Sequence, residues 1–323
     1  MKEIGGYFEL ENLKGKEYHN KALRFNTARN ALAYLCLAKN IKKIYIPFYL
    51  CDSVFKCLKR EKINYEFYHV NGEFYPDFDR ILGENEYIYI VNYYGIISNK
   101  EIECFKIKYR NIIIDNTHAF FRMPVVGVDT LYSCRKFFGV PDGSYLYTDT
   151  LDKYKELRKD NSILRMEHIL GRYESRANKY FDKYQATEAS FDDIDIMKMS
   201  KLTRNLLKAI DYNDVQKKRC ENYNYLKNKL DLFNKLNLEK NEGPFAYPLL
   251  VEDGNQVREK LIGHKIYVAT LWKDVIINNY SSQIEKKYSS DIIPIPCDQR
   301  YNLGDMDCIS DIVMMTIKNK GME

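Results

Sequence analysis

Two stretches decide how the chain is read: residues 111–121, NIIIDNTHAFF, and residues 129–148, DTLYSCRKFFGVPDGSYLYT. Ile112, Ile113 and Ile114 form a continuous β-branched run that ends at Asp115. A short apolar run of this kind suits a strand buried on both faces, as in a parallel sheet. Asp115 then falls at the C-terminal end of the strand, where open α/β sheets keep their ligand chemistry. A second short strand around Leu131-Tyr132-Ser133 runs into Cys134-Arg135-Lys136. A loop carrying Pro141, Asp142 and Gly143 follows, and then a strand from Ser144 to Thr148.

A carboxylate at one strand end and a lysine just beyond another point to pyridoxal phosphate (PLP). The lysine amine forms a Schiff base with the cofactor aldehyde, and the carboxylate pairs with the protonated pyridine nitrogen to keep the ring an electron sink. Either residue alone is more commonly a surface lysine or an ordinary strand-end aspartate. The rest of the chain changes that balance.

Upstream, Lys43–Pro47 reads as a strand, Phe48–Asp52 as a turn, and a helix follows to about Lys62. Tyr65–Val70 is extended, Glu86–Tyr94 is an apolar strand ending at Gly95, and a helix spans Lys100–Lys108. This alternation argues for a parallel α/β sheet. Asn26 or Thr27 is a good N-cap for a helix whose Ala28, Ala31, Leu32 and Leu35 share one face. Its free N–H groups can hold a phosphate. Residues 151–183 turn charged and helical, 186–198 read as a loop, and one long helix is expected from Met199 onward. Beyond it we expect strands at Ala246–Val251, Ile266–Ala269 and Ile292–Pro296, with helices at Gln256–Gly263 and Met306–Lys318. The expected division is a large domain over 1–200 and a smaller C-terminal α/β domain over 201–323.

Composition narrows the classes. Hydrophobic content of 45% and charged content of 29% are ordinary for a globular protein, and a net charge of +5 is small for 323 residues. The basic residues are spread along the chain, whereas nucleic-acid binding would need a concentrated patch. The first twenty residues do not read as a signal peptide, and no stretch approaches the ~18 apolar residues of a membrane span. Eight cysteines without a CxxC pair read as reduced thiols, so a cytoplasmic location is expected. The five histidines lack metal-ligand spacing, and no GxGxxG or Walker loop is present.

Taken in order, GGYFELE (5–11), NTARNAL (26–32), IYIPFYLCDSV (44–54), the IIIDNTHAFF strand end, the SCRK loop with its following DG, and IIPIPCDQRY (292–301) resemble the DegT/StrS-type sugar aminotransferases. These are a branch of the fold-type I PLP-dependent enzymes. The resemblance implies that Lys136 is the Schiff-base lysine and the proton shuttle, that Asp115 partners the pyridine nitrogen, and that His118 flanks the ring. It implies phosphate-binding roles for Thr27, Ala28 and Ser133, with Arg29 beside them. It also implies ping-pong transfer from an amino acid, expected to be glutamate, to a keto sugar expected to be nucleotide-linked, in surface polysaccharide or glycan synthesis, by a homodimer.

The chain departs from that pattern in places. Where the family sets an aromatic ring over the cofactor stands Cys51, with Tyr49 two residues earlier, and either could cover the ring. The family's Gly-x-Asn-x-Arg segment, which reaches the partner's phosphate site, aligns poorly with Asp195-Ile196-Met197-Lys198. Three alternatives stay open: a smaller phosphorylated keto substrate, a non-catalytic binding or regulatory protein, and the sugar-dehydrating branch of the family. In that branch a histidine replaces the lysine, so Lys136 argues against it.

Overall fold

The β-branched and aromatic runs of the first half pair into one sheet, because each is too apolar to leave a face in water. In the computed structural model, residues 4–239 and 241–320 are described. Strand β1 (Leu23–Phe25) leads into helix α1 (Ala28–Ala38), and β2 (Lys43–Pro47) into α2 (Asp52–Arg60). β3 (Tyr65–Val70), the short β4 (Pro76–Asp77), β5 (Glu86–Val91), α3 (Asn99–Tyr109), β6 (Ile112–Asp115), β7 (Asp129–Ser133) and β8 (Ser144–Tyr147) follow. The sheet order is β1-β8-β7-β6-β5-β2-β3-β4.

From β7 through β6, β5 and β2 to β3 every pairing is parallel, while β8 runs against both β7 and β1. β1 therefore points the same way as β7. The C-terminal ends of β1, β2, β5, β6 and β7 lie along one edge of the sheet, and those of β1, β2, β6 and β7 carry or lead into the residues singled out above. Ile113, Ile114 and Leu131 are fully buried, as strands covered on both faces should be.

The second half holds α4 (Glu167–Glu174), α5 (Phe181–Ser190), α6 (Lys201–Lys208), α7 (Tyr212–Leu230), β9 (Tyr247–Leu250), α8 (Gly254–Gly263), α9 (Asp274–Ile277), α10 (Gln283–Asp291), β10 (Ile292–Ile295) and α11 (Leu303–Lys320). β9 and β10 form an antiparallel pair. Their buried side chains, with Tyr223, Leu226 and Val313, join the same apolar cluster as the large sheet.

Three local expectations fail for identifiable reasons. The single long helix is two, α6 and α7, because Asp211 takes an extended conformation and caps a new start, accepting from the Asp214 N–H. The loop expected from 186 begins later, since α5 continues to Ser190. Ile266–Ala269 has strand-forming residues but is not a strand: among the described residues β9 pairs only with β10, and no strand edge receives the segment. Among the described residues no helix is long and apolar enough to cross a membrane.

Candidate active site

Asp115 closes β6 and is buried, at 5% exposure. One carboxylate oxygen accepts a hydrogen bond from the Tyr89 hydroxyl on neighbouring β5, and the other accepts from the Thr117 backbone N–H at 2.8 Å. Burial raises the Asp115 carboxyl above the ordinary range, against the pull of Tyr89, Thr117 and the charge of Lys136. A buried carboxylate so placed is matched best by a cation on its open side.

Lys136 lies one strand over, beyond β7. Its side chain is accessible to solvent, yet protein encloses its ammonium closely enough for desolvation to be the main influence lowering its pKa. A group that is both accessible and desolvated lines a recess, not a convex surface, and we read Lys136 that way. Arg135 and Arg29 push the pKa down further, while Cys51 and Asp115 oppose the shift. The ammonium sits 5.6 Å from the centre of the Phe245 ring.

His118 is buried and neutral, its pKa driven well down by burial and then by Lys136. Its Nδ1 lies 3.4 Å from the donating Tyr94 N–H, which leaves the proton on Nε2. Tyr94 makes that bond from a left-handed backbone (φ 55°), an uncommon state for a bulky residue. The imidazole stacks on Phe245 at 4.1 Å and 11°, and faces Trp272 at 5.7 Å and 28°.

At the end of β1, Thr27 caps α1 and its hydroxyl accepts from the Asn30 N–H at 3.2 Å. Among the described residues the N–H groups of Ala28 and Arg29 meet no acceptor, so they are free for an anion. The Arg29 guanidinium pairs with Asp192 at 2.5 Å. Ser133 ends β7, half-buried, three residues before Lys136.

The two positions left open above separate clearly. Cys51 is exposed at the start of α2 and acts electrostatically on Lys136. Tyr49 is fully buried, its ring 4.5 Å from Trp272 and 5.0 Å from Tyr93, so it supports the aromatic wall from behind. Asp195 to Lys198 packs within its own chain: the Asp195 carbonyl accepts from Asn26 and Asn30, and the Met197 carbonyl from the Asn26 N–H.

Sequence reasoning missed Tyr89, Thr117, Phe245 and Trp272. Trp272 could have been noticed as the one tryptophan of the chain. Phe245 carries no motif, and only the fold brings it to Lys136. Among the described residues no group of three or more His, Cys, Asp or Glu side chains is placed to hold a metal ion.

No protein-family model and no curated protein matches the sequence. Solved structures do match the fold. A DegT DnrJ EryC1 StrS aminotransferase from Brucella abortus is 12% identical, over 91% of this chain and 85% of that one, with a TM-score of 0.62. Helicobacter pylori PseC, an aminotransferase involved in the biosynthesis of pseudoaminic acid, is 15% identical over 92% and 87%, with a TM-score of 0.60. The E. coli GDP-4-keto-6-deoxy-D-mannose-3-dehydratase with bound hydrated PLP is 13% identical over 90% and 87%, also at 0.60. With its mainly parallel sheet and the strand ends that carry Asp115 and Lys136, this chain has the fold of those proteins.

Proposed function

We propose that the chain is a PLP-dependent aminotransferase that moves an amino group from an amino acid such as glutamate to a nucleotide-linked keto sugar. One observation carries the reading: Lys136 follows the end of β7, beside the β6 strand end that carries buried Asp115, with the Phe245 ring 5.6 Å from its ammonium. The neighbours with this fold include PLP-bound and sugar-processing proteins, which supports the cofactor and the substrate class.

The residues present fit the cofactor. When bound, PLP supplies an aldehyde for the amine and a ring that takes up the electrons of a broken C–H bond. Asp115, oriented by Tyr89 and Thr117, would hold the proton on the ring nitrogen. The Ala28 and Arg29 N–H groups, with the Thr27 and Ser133 hydroxyls, would bind the phosphate at the start of α1. Lys136, its pKa lowered, would bond covalently to the cofactor as the free amine and, once the incoming amino group displaces it, carry a proton to and from the substrate carbon. Neutral His118 would donate from Nε2 beside the ring, while Phe245 and Trp272 would wall the recess against water.

The departures are consistent with this scheme. Cys51 stands where a ring-covering aromatic is usual, and Phe245 and Trp272 bring aromatic surface from the C-terminal half. The spread of charge and the free cysteines support a cytoplasmic enzyme of glycan synthesis. A homodimer is part of the proposal, as two-fold pairs are the commonest assemblies. Sugar dehydration is the second reading, favoured by the dehydratase among the neighbours and opposed by Lys136.

A panel of keto-sugar nucleotides with glutamate tests the reading. An amino sugar formed with parallel-line kinetics in the two substrates is expected. A deoxy product without nitrogen would support dehydration, and no product with any acceptor would contradict both.

A further inference from the structure

Arg219, on α7, is 2% exposed, and none of the described carboxylates forms an ion pair with it. Asp298, the carboxylate that acts on it most directly, is already forked by Arg300 at 2.7 and 2.8 Å. Burial lowers the guanidinium to a pKa of about 10. Burying a cation without a counter-ion is costly unless its donors are satisfied by well-placed acceptors.

Those acceptors belong to the residue that follows the reacting lysine and to the Pro244–Phe245 segment, whose Phe245 ring faces it. Arg219 donates to the Phe137 carbonyl at 3.2 Å, to Pro244 at 2.8 Å and to Phe245 at 3.4 Å, and its guanidinium covers the Phe137 ring at 4.5 Å. Its Nε donates to the Gln299 side-chain oxygen at 2.8 Å, and the Gln299 amide donates in turn to the same Phe137 carbonyl, also at 2.8 Å. Phe137 follows Lys136 directly, and the Phe245 ring lies 5.6 Å from its ammonium. On the other side of Lys136 the turn is tied by Cys134, whose carbonyl accepts from the Phe137 and Phe138 N–H groups.

We infer that Arg219 and Gln299 are positioning residues: together they clamp the Phe137 carbonyl and the Phe245 backbone, and so hold the Lys136 amine inside its recess. This rests on the reading of Lys136 as the reacting amine. The pair never touches the cofactor or substrate in this scheme. It acts through the loop, keeping the amine desolvated and its pKa low.

The test uses cofactor-free protein, so it does not depend on PLP binding. The rate at which Lys136 is acetylated by acetic anhydride is followed against pH, by mass spectrometry of its peptide. In wild type the midpoint should lie below that of surface lysines in the same digest. In Arg219→Met and in Gln299→Glu it should move up by about one pH unit, as the loosened loop lets the amine reach water. Gln299→Glu can pair with Arg219 but no longer donates to Phe137, so it keeps the test open should Arg219→Met fail to fold. A folded variant whose Lys136 midpoint coincides with wild type would overturn the inference. Failure of wild type to bind PLP, with the midpoint shift intact, would instead remove the aminotransferase reading and leave the clamp.

Discussion

At the scale of single residues, the charges of Asp115 and Lys136 both cost the fold stability at neutral pH. The raised carboxyl of Asp115 means that the folded chain holds a proton more tightly than the unfolded one. Stability is therefore lost as pH rises from the ordinary aspartate value through the raised one, and the deficit persists at neutral pH. Asp115→Asn should raise the melting temperature of the cofactor-free protein at pH 7 by about 1–3 °C, read by calorimetry, and should lower amination by about 10²-fold or more. A lower melting temperature would show that the charge is already compensated in the fold. Lys136, with its pKa lowered, should behave likewise: Lys136→Met leaves the fold intact, read by far-ultraviolet circular dichroism, while activity falls by at least ~10³-fold. His118 should stay neutral, its ring proton shifts flat through the ordinary value near ~6.5 in an NMR titration. These residues were legible because strand-end position and residue type suffice to nominate them. Phe245 and Arg219 were not, since their roles depend on a chain crossing that no local pattern records.

At the scale of elements, the helix starts and the Lys136 loop carry the consequences. Thr27→Ala removes the cap of α1 and should cost about 1 kcal/mol, measured by urea unfolding. It should also weaken PLP binding, whereas Ser282→Ala, at the capping box of α10, should cost a similar amount and leave binding alone. Gly143 follows the lysine loop with φ 116°, and a Cβ there would stand 2.9 Å from Thr203 and 3.3 Å from Cys134. Gly143→Ala should therefore destabilise by about 1–3 kcal/mol. Strands such as Lys43–Pro47 and Ile112–Asp115 could be read directly, because a run buried on both faces leaves a continuous apolar signature. The antiparallel sense of β8 could not, as strand direction is decided by the connecting loop and the neighbouring edge. Ile266–Ala269 misled for a related reason: β-branched and aromatic residues make a strand only where another strand offers hydrogen-bond partners.

At the scale of the molecule, five strand ends on one edge of the sheet gather residues separated by more than a hundred positions, and the C-terminal half supplies Phe245, Trp272, Arg219 and Gln299 to the same place. Order along the chain made that gathering readable, since alternating strands and helices admit few topologies. The size and identity of the acceptor were not readable, because they depend on the shape of a recess built from both halves. If the chain pairs two-fold, light scattering should give twice the 38.3 kDa chain mass. Exposed Tyr7 and Phe8 are candidates for burial in that contact, and Tyr7→Ser with Phe8→Ser should then weaken it.

The most direct measurement is chemical. Protein incubated with PLP is reduced with borohydride, digested and mapped by mass spectrometry. The account requires the reduced cofactor to be attached to the peptide containing Lys136, and attachment to disappear in Lys136→Met. Attachment to a different lysine, or none at all in protein that is folded and saturated with PLP, would contradict it.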